Sequence, residues 1–474
     1  MPTHLPTRMT TGIAAPWWTF LLALGLAGMG TAAQAQSNAD EDAALGLEIA
    51  TPVAEAKEKP RAWSLTSEVG AIAIQERNGW ANEAATRATV ALRGNYQPTE
   101  ATNVRYAARL DAFDTHVNAF AADHDRSASL LELYATHAIH RDLSVQAGRI
   151  NVREGNAYSF NPTDYYRANS VKLFVNPSPL VTRESRQGTF GLRGLWLQPQ
   201  GALSVLYSPK LGNPGPSNAW GLDSALTNPS HSLLVTWSRT LSEKTNVKLL
   251  GLKASDQQWQ LGLSGSTLVG DALTLHAEAS HGRAVGAASA PSGRVANQWA
   301  LGGTLTTGQW SWTLEQAYNG QAITDAAFTQ WVVSQPQAAY AYLSGAERLQ
   351  SQNARRNWFF YVSRPDFIWS RVELRGFVRL NPNDHGRMTW LELRRKFDRF
   401  DLGYQFTATQ GRATSMYGIT PAKRLHQVVL THHLELVPCQ NQYRRETIPA
   451  DWTARTLVTP RLARPRERPQ NTKL

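Results

Sequence analysis

Leu143-Ser-Val-Gln-Ala-Gly148-Arg149-Ile-Asn-Val-Arg153-Glu154, a loop up to Gly188, then Thr189-Phe-Gly-Leu-Arg193-Gly-Leu-Trp-Leu197: this stretch decides the fold. Each flank is one strand long, with apolar residues alternating against small or charged ones, the period of a sheet with two unlike faces. Leu143, Val145 and Ala147 share one face, and Ile150 and Val152 resume it after a one-residue slip that a bulge at Gly148 would explain. Arg149, Asn151 and Arg153 then point the other way. A strand that is oily on one side and arginine-bearing on the other suits an antiparallel transmembrane β-barrel around a wet interior.

The same two-beat runs outward from this stretch in both directions, and about 18 strands fit between Trp63 and Leu436. The joints alternate. Tight ones such as Arg141-Asp142, Pro199-Gln200 and Thr307-Gly308 follow even strands; long ones such as 155–188, 210–229 and 320–356 follow odd strands. Short turns on one side and long loops on the other are the pattern of an all-β outer-membrane barrel, whereas a sandwich has no reason to alternate this way. One loop, 324–353, has helical character, with Thr324 or Asp325 as cap and Pro336 as an interruption.

The ends differ from this body. Residues 1–35 read as a signal peptide, with Arg8 before an apolar run and Ala33-Gln34-Ala35 as the cleavage pattern. Residues 36–62 read as an aperiodic periplasmic leader, 63–436 as the barrel, and 437–474 as a basic, disordered tail with eight Arg or Lys against three acids. No later segment is long and apolar enough for a membrane helix. Lipid cannot satisfy open strand edges, so strands can cross only as a closed barrel. With Cys439 as the sole cysteine, stability must come from strand pairing rather than disulfides.

Of the formal charge of +11, the placement matters more than the size. Alternation sends Arg87 and Arg93 of the second strand, Arg105 and Arg109 of the third, Arg149 and Arg153 of the fifth, and Arg193 of the sixth to the interior. It does the same for Arg371, Arg375 and Arg379 of the fifteenth strand and Arg394 of the sixteenth. An arginine facing lipid would cost about 2–4 kcal/mol at the midplane, which sets the phase. Six inward acids oppose these eleven arginines: Asp111, Glu132, Glu278, Glu315, Glu373 and Glu392. The excess forms a positive arc of planar donors suited to carboxylate or phosphate. The bland reading is that each arginine braces the wall through an acidic partner.

The loop 155–188 carries Tyr158, Phe160, Asp164, Tyr165, Tyr166 and Arg167, and is long enough to fold into the interior and set a constriction. Its aromatics would stack on sugar faces or, the reading favoured here, pack the loop against the wall.

Gly148-Arg149-Ile-Asn-Val-Arg153-Glu154 resembles the Gly-Arg-x-x-x-Arg-Glu segment of the bacterial alginate export channel, an 18-stranded barrel with an arginine-rich lumen. The resemblance implies that Arg149 and Arg153 contact an acidic polymer or solute. The Asn161-Pro162-Thr163-Asp164 turn departs from that pattern.

These features point to a channel in the bacterial outer membrane, a porin or exopolysaccharide export pore. It would pass anionic small molecules or acidic polysaccharide, sit among outer-membrane lipid and lipopolysaccharide, and in the export case meet periplasmic secretion partners. No cofactor, metal or nucleic acid is expected. An outer-membrane lipid hydrolase is the contrasting class, but His276, His432 and His433 come without a nucleophile motif. A closed structural barrel is the third.

Overall fold

A computed structural model describes residues 63–77, 83–114, 124–173, 176–255, 259–283 and 295–436. The signal peptide, leader and tail proposed above lie outside the described residues. The strands are β1 Trp63–Glu76, β2 Glu83–Thr99, β3 Thr102–Phe113, β4 Arg126–His140, β5 Leu143–Ile150, β6 Thr189–Gln198, β7 Gly201–Ser208, β8 Ser232–Ser242 and β9 Thr245–Ala254. They continue with β10 Gln260–Val269, β11 Leu273–Arg283, β12 Val295–Thr307, β13 Trp310–Asn319, β14 Arg356–Arg364, β15 Val372–Leu380, β16 Arg387–Lys396, β17 Phe400–Gln410 and β18 Ala422–Leu436. Short helices interrupt the loops: α1 Pro179–Glu184, α2 Ser224–Thr227, α3 Asp325–Ser334 and α4 Pro336–Arg348. The helical reading of the 324–353 loop is borne out, with Thr324 Oγ1 accepting from Ala327 N at 3.2 Å and Pro336 opening the second helix.

Every strand pairs antiparallel with its sequence neighbours, and β1 pairs with β18 from Trp63–Leu436 to Glu76–Ala422, so the sheet closes on itself. Closure leaves no strand edge for lipid to meet. The outer rows are apolar: Leu263, Leu314, Leu402 and Val428 are exposed while their neighbours along each strand are buried, and Leu192 and Leu301 are exposed as well. Trp310 and Trp312 stack at 4.9 Å, with Phe367 edge-on to Trp310, as an aromatic patch near the short-turn end. Among the described residues no helix could cross a membrane, and none is needed.

The deciding strand departs from its sequence reading. The ladder ends at Ile150, not Glu154, and runs to β4 and β6 without a register slip at Gly148, although that glycine holds φ +130°. Unbroken alternation therefore puts Ile150 inside, where it and Val152 pack on Leu206, Leu234, Leu250 and Leu252. It also pairs Arg149 with Leu133 and Phe190, and Leu133 is 47% exposed on the outer surface. The strand does not bulge; the chain leaves the sheet and enters the barrel.

Candidate functional site

From Asn151 the chain crosses the interior and returns at Gly188, and most of its side chains are buried on the way. Its path touches much of the wall. Tyr165 and Tyr166 pack with the β7–β9 cluster; Ala157 and Phe160 with Ala300 and Ala317 of β12 and β13; Leu173 with Ile72, Ala85 and Phe113. Tyr158 and Leu180 join Phe359, Tyr361, Phe377 and Trp390, an inward aromatic wall on β14–β16. The Tyr158 ring lies 4.4 Å from that of Tyr361. Packing, rather than an open stacking platform, is what these loop aromatics do.

Two buried glutamates hold the crossing. Glu278 of β11 accepts from Asn156 N, from Ala157 N at 2.5 Å and from Thr163 Oγ1 at 2.9 Å. Glu315 of β13 accepts from Tyr158 N at 2.5 Å and Ser159 N at 2.9 Å, and meets His276 Nε2 at 2.8 Å. Backbone N–H groups on a carboxylate are charge-assisted bonds, about twice as strong as neutral ones. At Gly155, φ is +96° and a Cβ would stand 2.6 Å from Glu278 Oε2. A Gly155→Ala variant is therefore expected to lose about 2 kcal/mol or more from strain and overlap, measured as a lower urea midpoint for the folded gel band; an unchanged midpoint would refute the tight docking.

Charged loop residues lock the fold of the crossing itself. Asp164 pairs with Arg186, and Arg167 donates to the carbonyls of Asn161 and Asp164, with its guanidinium 5.0 Å from the Phe160 ring centre. Burial lowers the Arg167 pKa to about 10, so it still carries its charge at neutral pH. Lys172 reaches Asp223 and the carbonyls of Ala128, Asn218 and Gly221, tying this loop to the next long one.

Seven of the eleven proposed lining arginines are inward and paired with acids, six of them from strands. Arg93 meets Glu184 at 3.3 Å, Arg105 meets Glu132 at 2.9 Å and Arg109 meets Asp111 at 2.8 Å. Arg375 meets Glu373 at 2.6 Å, and Arg394 meets Glu392 at 2.8 Å. Arg87, sealed from water, pairs with Glu68 and donates to Gln427 at 3.1 Å. Arg153 is also inward and reaches Glu132 at 3.4 Å, though from the loop rather than from a strand. Two inward arginines have no carboxylate partner among the described residues: Arg193 donates to Ser204 Oγ at 2.7 Å, and Arg379 lies 5.8 Å from the Phe359 and Phe377 ring centres.

The remaining two proposed lining residues are elsewhere. Arg149 is 0% exposed: it donates to the carbonyls of Gly188 at 2.9 Å and Leu222 at 2.7 Å, and to Gln187 Oε1 at 2.7 Å. The loop after β7 covers it, so an arginine on the outward row meets protein instead of lipid, and no solute can reach it. Arg371 precedes β15 with φ +64°, exposed on the short turn and paired with Asp398 at 2.7 Å. The turn consumes residues that alternation alone would have given to the strand.

Sequence reasoning missed Lys248, which meets Glu154 at 2.8 Å, and Lys396, which meets Glu373 at 2.9 Å. Both fall on the inward beat of their strands, at the short-turn ends of β9 and β16, so the same alternation could have found them. Together with Arg93, Arg105, Arg153, Arg193, Arg375 and Arg394 they line the half of the interior nearer the short turns. Of these, Arg105 keeps half of its side chain in water. The loop occupies the other half. Among the described residues no cluster could hold a metal ion.

No protein-family model and no curated protein matches the chain. Among solved structures, OccAB1 of Acinetobacter baumannii aligns at a TM-score of 0.51 and 12% identity, over 81% of this chain and 99% of that one. The fold is that of an outer-membrane porin. OpdK of Pseudomonas aeruginosa, solved with vanillate, aligns at a TM-score of 0.47 and 13% identity, over 79% of this chain and 99% of its own. The closed antiparallel sheet with its apolar outer row is the form in which strands cross a bacterial outer membrane.

Proposed function

We propose that the protein is a passive channel for small anionic solutes, not an enzyme. The observation that carries this reading is the half of the lumen nearer the short turns, where water-exposed guanidinium and ammonium groups face the interior and Arg193 has no carboxylate partner among the described residues. Planar donors on a wet wall favour anions, because a charged ring excludes ions of its own sign. Acidic polysaccharide export, the expectation attached to the Gly148–Glu154 resemblance, is the weaker form. Arg149 is sealed away, and the crossing loop leaves a polymer little room.

Reversal potentials in a salt gradient across a planar bilayer test the reading. The wild-type channel is expected to prefer chloride over potassium, and an Arg193→Ala, Lys248→Ala double variant to lose most of that preference. Cation preference in the wild type, or an unchanged potential in the variant, would overturn it. The packing of the loop favours one rival, a closed structural barrel, which a recording without current would select.

A further inference from the structure

The outer surface of the barrel carries basic groups that a lumen cannot use. At the long-loop end, alternation places Arg387 of β16 and Arg424 of β18 on the outward row, on the same beat as Leu391 and Val428, and both arginines are exposed. Lys423 is the extra residue of a bulge: Gln75 of β1 pairs with Arg424 and Glu76 with Ala422, so Lys423 has no partner on β1. The bulge frees it from the inward beat that strict alternation would assign it, and it too is exposed. None of the three cations has a carboxylate partner among the described residues. Arg387 donates from Nε at 2.8 Å and Nη2 at 2.5 Å to Gln410 Oε1 of β17, which fixes the guanidinium and leaves Nη1 for another acceptor.

Their surroundings place these cations at the edge of the lipid. Arg387 pairs with Gln410 and Arg424 with Ala408, so the two arginines stand two strands apart and one two-residue step out of line. Strand spacing and rise then set their Cα atoms about 12 Å apart, within the combined reach of two long side chains. Leu391 and Val428, exposed on the lipid-facing row, lie four residues down each strand, about 13 Å away. Between the two levels His426 meets Tyr404 Oη at 2.7 Å through Nδ1 and lies 5.1 Å from the Phe406 ring, an aromatic group with polar tips of the kind found where hydrocarbon meets headgroups. Across the seam the outward row turns small. Ala73 pairs with His426 and Ala71 with Val428, Ala84 and Thr86 follow on β2, and all four are exposed. A shallow trough therefore runs down from the cations along β1 and β2.

We propose that this face docks a phosphate-bearing, acylated lipid of the outer leaflet, with Arg387, Lys423 and Arg424 on its phosphate and an acyl chain along the trough. Guanidinium is the planar donor suited to phosphate, and basic residues at a membrane surface bind anionic headgroups. Three cations exceed the single charge of a phosphodiester, so the fit is to a lipid with phosphomonoester groups, each of about −1.5 to −2 at neutral pH. The docking is independent of the channel reading: an open pore and a closed barrel would hold the lipid alike.

Native mass spectrometry of the detergent-solubilised full chain, titrated with diphosphoryl lipid A, phosphatidylglycerol and phosphatidylcholine, tests the docking. Affinity is expected to fall in that order. An Arg387→Ala, Arg424→Ala double variant should weaken diphosphoryl lipid A about tenfold or more, the effect of two basic residues beside a charged lipid, and leave phosphatidylcholine unchanged. Arg141→Ala with Arg395→Ala removes the same charge from two exposed arginines at the short-turn end and is expected to change neither. Cold-gel mobility reports whether the variants are folded. Should the first pair not fold, Lys423→Glu, a change at an exposed bulge, is expected to weaken the same lipid. Excess inorganic phosphate should leave the lipid bound, because phosphate has no chain for the trough. Equal binding of phosphatidylcholine, displacement by inorganic phosphate, or folded rim variants with wild-type affinity would each overturn the site. Polyglutamate binding more tightly than the lipid would do the same, by assigning the face to an acidic protein. Lipid binding with no anion-selective current would remove the channel reading and leave this site standing.

Discussion

Replacing Glu278 and Glu315 together by Ala is expected to raise single-channel conductance several-fold and to make the open level noisy. Those two carboxylates accept four backbone N–H groups from residues 156–159, one hydroxyl from Thr163 and the contact with His276. Each buried donor left unsatisfied costs about 1 kcal/mol or more, so together they outweigh the remaining contacts that hold the tip on β11 and β13. The loop then gains more by taking water on its N–H groups than by staying on the wall. The Glu278→Gln, Glu315→Gln pair keeps acceptors but removes the charge, and an intermediate conductance is expected from it. Planar-bilayer recordings decide: wild-type conductance in the double Ala variant would mean that the aromatic packing of Tyr158 and Phe160 holds the loop without help.

Arg87→Ala is expected to be the most damaging single change to stability, by about 3 kcal/mol or more. Arg87 reaches from β2 to Glu68 of β1 and to Gln427 of β18, and so spans the seam where the barrel closes. It lies across Gly70, where a Cβ would be 3.2 Å from both its Cγ and its Nε. Removing it strips the partly buried Glu68 of its ion pair and leaves it the Thr431 hydroxyl at 3.3 Å, and breaking one side of a buried pair costs more than the pair contributes. The measurement is the urea midpoint of the heat-modifiable band. A drop no larger than that of Arg141→Ala, whose side chain stands in solvent on a short turn, would show that strand pairing alone closes the seam.

The barrel was legible because two constraints act on every strand at once. Lipid demands an apolar row and water a polar one, and both recur with period two, so alternation locates the strands and their faces without tertiary information. Turn composition did the same for the connections: Thr307-Gly308 is a tight turn because Gly308 can adopt φ +59°. The aromatic wall of Phe359, Tyr361, Phe377 and Trp390 was not legible, since an inward aromatic breaks the expectation of a polar lumen unless a loop is known to cover it.

By itself, then, the sequence determined strand number, closure, membrane placement and the inward beat of most lumen arginines, all consequences of local periodicity against two solvents. Tertiary structure alone decided where the chain stops being wall and becomes filling. Arg149 shows the reason: the penalty for an outward arginine presumes lipid beside it, and the loop bearing Leu222 replaces that lipid with a carbonyl from far along the chain. Which arginines are spent on a carboxylate and which remain for a solute depends likewise on contacts across the barrel, and no spacing along one strand encodes these.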